Sequence, residues 1–143
     1  MPTVKDVMTK NVVTIDVNGS VFEAAELMSA KGIGCLVVTD NAVPVGIVTE
    51  RDFVKRIVAQ RASFDAKVSD VMSKPLVTIN PEASIKEAAR LMSTNKIRRL
   101  PVLKKNELVG IAVATDLVRN IGKKTTAEEI LEAIGRYPSG PIT

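Results

Sequence analysis

Apolar and polar positions along this chain fall into two alternating periods. Val12 to Ile15 is a short β-branched run, which predicts a strand. From Val21 the apolar positions are Val21, Ala24, Ala25 and Met28, the i, i+3, i+4, i+7 spacing of a helix with one buried stripe. Ser20-Val-Phe-Glu23 just ahead of it reads as a capping box, in which Ser accepts from a first-turn amide and Glu reaches back. Cys35 to Thr39, a turn at Asp40-Asn41 and Val45 to Val48 predict a hairpin, and a closing helix is expected from about Glu50 to Gln60.

The same order then recurs. At a shift of 64 residues, Val4 to Ile57 lies on Val68 to Ile121 without a gap, and 24 of the 54 aligned positions are identical. Asp6-Val7-Met8 meets Asp70-Val71-Met72, Val13-Thr14-Ile15 meets Val77-Thr78-Ile79, and Val45-Gly46-Ile47 meets Val109-Gly110-Ile111. The second copy therefore predicts a strand at Leu76 to Ile79 and a helix opened by Ser84 and Glu87, with a stripe of Ile85, Ala88, Ala89 and Met92. A hairpin of Leu100 to Leu103 and Leu108 to Val113 and a helix over Asp116 to Ile121 follow. The methionines in both stripes are core positions rather than a cofactor box. The fold class expected is α+β: two tandem β-α-β-β-α repeats packed about a pseudo-twofold axis, because a unit this small buries too little apolar surface alone. Residues 1–60 form the first repeat, 61–67 a linker and 68–122 the second repeat. Residues 123–143 hold a short C-terminal helix, with Ala127, Ile130, Leu131 and Ile134 on one face, and a tail.

Composition narrows the chemistry. The chain has 143 residues, no His, one Cys and no Trp. Imidazole general bases, Ser-His or Cys-His pairs and Cys/His zinc sets are thereby excluded, and no enzyme motif places a carboxylate or lysine beside an activated nucleophile. Cys35, inside an apolar run, reads as a packing residue. Apolar stretches such as Ala42 to Val48 fall far below the roughly 18 residues of a membrane span, and Lys5, Asp6 and Lys10 interrupt any leader-like start. A cytoplasmic protein without a membrane partner is expected.

Charge locates the candidate chemistry. The formal net charge is +4, yet the first repeat holds six Lys/Arg against seven Asp/Glu (−1) and the second nine against five (+4). Arg98-Arg99 stands where the first copy has Gly34-Cys35, at the start of an otherwise apolar strand. The pair reads either as a solvated strand entrance or as a bidentate phosphate clamp, for which the planar, permanently charged guanidinium is suited. In Gly46-Ile-Val-Thr49-Glu-Arg51-Asp52 a strand gives way to a helix. There the free amides and the helix dipole favour an anion, and Asp52 is placed to accept from vicinal ribose hydroxyls. Thr49-x-x-Asp52 is equally a capping-box pattern, so local structure alone accounts for both residues.

This 64-residue tandem, with Asp-Val-Met, Val-Thr-Ile, the apolar helix, the hairpin and a Gly-h-h-Thr-x-x-Asp motif (h, apolar), resembles a pair of cystathionine-beta-synthase (CBS) domains over residues 4 to 121. The resemblance implies a Bateman module, whose two clefts bind adenosine derivatives and which often pairs as a homodimer. It implies phosphate and ribose contacts for Thr49 and Asp52, phosphate contacts for Arg98 and Arg99 across the pseudo-dyad, and a further phosphate candidate in Arg51. The base would lie against Ile47, Leu76 and Val77. The twin cleft, around Val12, Val13, Gly34, Cys35, Thr115 and Asp116, departs from the pattern. Val113 replaces the motif Thr, Thr115 falls two positions late, and no arginine pair faces it, so asymmetric occupancy is expected.

The function that follows is a non-catalytic sensor of AMP, ADP or ATP, with no cofactor required, which signals through its own oligomer or an effector protein. Two alternatives stand beside it. An S-adenosylmethionine or thioadenosine sensor is disfavoured because a cationic sulfonium gains nothing from Arg98 and Arg99. A nucleic-acid binder using the basic second repeat is disfavoured because no aromatic platform falls within Lys96 to Lys105.

Overall fold

The computed structural model describes residues 2–119. In chain order its elements are α1 (Val4–Val7), β1 (Thr14–Asp16), α2 (Val21–Lys31), β2 (Cys35–Asp40), β3 (Val43–Thr49) and α3 (Glu50–Asp52), which runs into a π-helical stretch, Phe53–Val58. Then come α4 (Val68–Val71), α5 (Ile85–Asn95), β4 (Arg99–Lys104), β5 (Glu107–Val113) and α6 (Ala114–Arg119). The α+β class is as expected. The C-terminal helix expected over Ala127 to Ile134 lies outside the described residues.

The chain forms two compact units that are not cut where the sequence repeats are cut. One, here the central unit, is Val13–Leu76; the other, the flanking unit, joins the residues up to Val12 to those from Val77. Each repeat opens with a short helix, α1 or α4, that packs on the other copy's elements. The valines explain this. Val4 and Val7 are buried in one cluster with Ile85, Ala88, Met92, Leu100, Val102 and Leu117, whereas Val68 and Val71 are buried with Val21, Ala24, Met28, Leu36, Val48 and Ile57. The backbone anchors are equivalent: Val4 N–H donates to Ala83 O and Lys5 N–H to Pro81 O (both 2.9 Å), as Val68 N–H does to Gly19 O (2.9 Å) and Ser69 N–H to Val17 O (3.4 Å). At the exposed start of α1 the Thr3 amide donates to Asp6 (2.8 Å), and this bond holds the Asp6 carboxyl below the ordinary carboxylate range.

In the central unit β1 pairs parallel to β2, and β2 pairs antiparallel to β3. The flanking unit repeats the hairpin in β4 and β5, but the strand expected at Leu76 to Ile79 shrinks to one bridge, Ile79 to Val102. Two prolines are the reason. Val37 N–H donates to Val13 O and Val17 N–H to Thr39 O in the first copy; the second copy has Pro101 and Pro81 at those places and lacks both donors. Only the central pair, Ile79 N–H to Pro101 O (3.1 Å) and Leu103 N–H to Ile79 O (3.0 Å), remains. The first hairpin turns one residue later than the Asp40-Asn41 expectation, at Asn41-Ala42, while the second turns at Lys105-Asn106, within the Lys104-Lys105-Asn106 turn that the sequence predicts; all four residues are at positive φ, as a two-residue turn matched to strand twist requires.

Serine caps open the two long helices: Ser20 Oγ accepts from Glu23 N–H and Ser84 Oγ from Glu87 N–H, each at 3.0 Å. It is the serine half of each expected capping box that the structure shows. Ser84→Ala is expected to lower stability by about 1 kcal/mol, read as a shifted denaturation midpoint, with Ser84→Asp retaining the cap and most of the stability. The stripes are buried as the spacing requires, except that Ala25 is half-buried. The closing helices differ from expectation. The first is α-helical for one turn and then π-helical, and α6 begins at Ala114 rather than Asp116.

Candidate functional site

The candidate site is built where β3 ends. Val48 is buried in the sheet, Thr49 is still extended (φ −126°, ψ 167°), and the next residue starts α3, its Glu50 N–H bonded to Gly34 O at 3.1 Å. Thr49 and Asp52 close a full capping box: Asp52 Oδ2 accepts from the Thr49 amide (2.9 Å) and hydroxyl (3.3 Å), while Asp52 N–H donates to Thr49 Oγ1 (3.3 Å). The local-structure reading of this motif is therefore correct as far as it goes. It leaves the other carboxylate oxygen turned elsewhere.

Asp52 is the one buried charged residue among those described, 6% exposed. Ser73 Oγ donates to its Oδ1 (3.2 Å), and Arg56 Nε lies 3.6 Å from the same oxygen. Arg56 is pinned in turn, donating from Nη1 to Val71 O (3.1 Å) and Met72 O (3.0 Å), the last carbonyls of α4 and its cap. A buried carboxylate is tolerated because donors meet it on both oxygens, and among the described residues no buried side-chain nitrogen or oxygen lacks a partner.

The other expected residues of the central unit are Ile47, Arg51 and Leu76. Ile47 is half-buried and pairs with Ser73 through two backbone bonds (Ser73 N–H to Ile47 O, 2.8 Å; Ile47 N–H to Ser73 O, 3.2 Å). Arg51 is exposed in the first turn of α3, and Leu76 is half-buried at the end of the unit. Val77, Arg98 and Arg99 belong to the flanking unit, all half-buried. Arg98 O accepts from Ala114 N–H (2.9 Å), and Arg99 opens β4 opposite Val113.

Of the twin constellation, Val13, Gly34 and Cys35 lie in the central unit, with Cys35 half-buried opposite Thr49; Val12, Thr115 and Asp116 lie in the flanking unit. Thr115 is exposed. Asp116 is half-buried and meets Arg119 at 3.4 Å. With Val113 at the cap position the hydroxyl half of the box has no counterpart there.

Two residues at the Asp52 carboxylate, Ser73 and Arg56, were not singled out from sequence. The signal for Arg56 was its i, i+4 spacing from Asp52. Ser73 aligns with Thr9 at the repeat shift, so a hydroxyl recurs in both copies. Its relevance was hidden because the four-residue segment ahead of it, Val68–Val71, is too short to show a period or a packing partner. Among the described residues no three His, Cys, Asp or Glu side chains gather as for a metal ion, and no helix is long and apolar enough to cross a membrane.

Known proteins carry the same pattern. A family model, CBS domain, matches residues 4–59 and again 68–123. The CBS domain-containing protein YhcV of Bacillus subtilis is 42% identical over 120 residues, 84% of this chain and 86% of that protein. A hexameric CBS-CP12 protein from bloom-forming cyanobacteria has 34% identity and a TM-score of 0.77, covering 92% of this chain and 81% of its own. CBSX2, solved in complex with AMP, has 29% identity and a TM-score of 0.70, covering 83% of this chain and 95% of its own.

Proposed function

The chain belongs to the CBS domain family, and from that premise we propose that this regulatory CBS pair is a non-catalytic sensor of AMP, ADP or ATP. The observation that carries the reading is the Asp52 carboxylate, buried at a strand-to-helix junction and held in place by Thr49 and Ser73. An acceptor fixed in advance binds sugar hydroxyls without a further ordering cost. Thr49 and Asp52 hold phosphate and ribose of the ligand, and Arg98 and Arg99, with Arg51 as a further donor, take the phosphates. The base lies against Ile47, Leu76 and Val77. AMP bound by CBSX2 supports this ligand class.

Calorimetric titration with AMP, ADP and ATP tests it. Since a hydrogen bond to a charged group contributes about 1.5–3 kcal/mol, Arg98→Ala with Arg99→Ala is expected to weaken nucleotide binding at least about tenfold. Asp52→Asn weakens it as well, and its coupling with the arginine change reports whether both act on one ligand. Absence of heat with all three nucleotides, or affinity indifferent to these changes, refutes the proposal. S-adenosylmethionine is expected not to displace AMP.

The constellation of Val12, Val13, Gly34, Cys35, Thr115 and Asp116 is proposed as a weaker second site, so one nucleotide binds tightly per chain. Signalling requires that bound nucleotide favour one of two arrangements of the chain or of its oligomer. A homodimer is the assembly proposed, with an effector protein as the readout, and the hexameric cyanobacterial relative supports self-association.

A further inference from the structure

Among the described residues five large apolar side chains stay more than half exposed, and four of them, Phe22, Val54, Val58 and Phe64, belong to the central unit's α2, closing helix and linker. Phe22 lies in the first turn of α2; Val54 and Val58 lie on the π-helical continuation of α3. The two helices share one core cluster through Val21, Ala24 and Ile57. Beyond the closing helix the chain folds back: Arg61 N–H donates to Val58 O (3.2 Å), Ala62 N–H to Ile57 O (2.9 Å), and Phe22 N–H to Phe64 O (3.0 Å). The four side chains thus stand on adjoining segments. The two phenylalanine rings alone leave on the order of 200 Å² open, and the valines extend this into the few-hundred-Å² range that marks an interaction site.

The duplication supplies an internal control. At the repeat shift those four positions read Lys86, Val118, Gly122 and Glu128, so the fold does not require apolar residues there. The charges differ in the same way. α2 exposes Glu23 and Glu26, and the closing helix exposes Lys55. In the second copy the counterpart of Glu26 is Arg90 and that of Lys55 is Arg119, both exposed. An acidic helix beside a basic one is therefore a property of the central unit.

A two-fold axis makes any contact of residue i with the partner's residue j occur twice. Two central faces joined with α2 on the partner's closing helix set Glu26 against the partner subunit's Lys55 at both ends. Two flanking faces joined in that way set arginine against arginine at both ends. A central face on a flanking face gives one opposite pairing and one like pairing. Since charge complementarity mainly suppresses wrong arrangements, it selects the first of the three.

We infer that the chain pairs with a second copy of itself through the central units, with Phe22, Val54, Val58 and Phe64 at the centre of the contact and Glu26–Lys55 pairs between protomers fixing its orientation. The inference rests on the homodimer proposed above and adds to it a face and a pairing.

Sedimentation of the full chain over a concentration series, without nucleotide, decides it. The unsubstituted protein is expected to dimerise. Phe22→Lys, which places there the residue type of its counterpart Lys86, is expected to dimerise roughly tenfold or more weakly. Glu26→Arg and Lys55→Glu each bring like charges together at both ends, and each alone is expected to weaken the dimer by roughly tenfold. Mixed in equal amounts, these two variants restore it, since every pairing between them joins opposite charges; a Glu26–Lys55 contact within one chain gives no such restoration. Arg90→Glu does not weaken the dimer. A dimer indifferent to Phe22→Lys or to the two charge changes, a mixture that restores nothing, or a dimer weakened by Arg90→Glu overturns the inference and leaves the homodimer standing on another face. An unsubstituted protein that stays monomeric overturns the homodimer as well.

Discussion

Val4→Asp is expected to unfold elements that lie more than eighty residues away in sequence while sparing those next to it. Val4 is fully buried among Ile85, Ala88, Met92, Leu100 and Leu117. The substitution loses about 1.5–3 kcal/mol of apolar burial and puts a carboxyl group into an apolar site, at a cost of roughly 2–7 kcal/mol. That sum rivals the whole stability of a small domain. Hydrogen exchange locates the damage: protection should fall first across Ile85–Asn95, Arg99–Lys104 and Glu107–Val113, not across Val21–Lys31 and Cys35–Asp40. Val68→Asp is expected to give the reverse pattern, because Val68 fills the equivalent place in the central unit. Damage centred on α2 and β2 after Val4→Asp would contradict the exchange of opening helices between the repeats.

The second large effect is expected at Gly46. A Cβ there would stand 2.5 Å from Met72 Sδ, 3.0 Å from Met72 Cγ and 3.1 Å from Ser73 O. Met72 is itself buried and cannot simply swing away, and the backbone behind it is bonded to Ile47. Gly46→Ala should therefore cost about 1–3 kcal/mol through overpacking, seen as a lower denaturation midpoint. It should also displace Ser73 and with it the Asp52 carboxylate, so nucleotide affinity falls too. Adding Met72→Ala relieves the closest contact, and the double variant should be less unstable than the two single losses combined. Gly110, which faces Met8 Sδ at 2.5 Å and Thr9 O at 2.9 Å, is expected to behave alike in the flanking unit. An additive double variant, or a neutral Gly46→Ala, would show that the Met72 segment is looser than its packing implies.

Both effects arise from segments that the hydrophobic pattern left blank. Val4-Lys-Asp-Val7 is too short to show a period, so neither its helical form nor its destination was legible. The glycines were legible as repeat identities, but their purpose depends on a methionine that only folding brings near. At Asp52 the cap to Thr49 was legible from three-residue spacing, because a capping box is local. Ser73, 21 residues further on, reaches the same carboxylate through the pairing of its backbone with Ile47. The lost strand at Leu76 to Ile79 was in principle readable, since Pro81 and Pro101 remove two donors, yet the donors matter only once the strand's partner is known.

The sequence by itself determined the duplication, the α+β class, the positions of the two long helices and the hairpins, and the location of the charge excess. All of these rest on interactions within a few residues or on a repeat that can be counted. Tertiary structure alone decided which repeat receives each opening helix, how much of each first strand survives, and which hydroxyl completes the Asp52 carboxylate. Those outcomes depend on contacts between residues distant in the chain, and a local period carries no information about which distant surface will bury it.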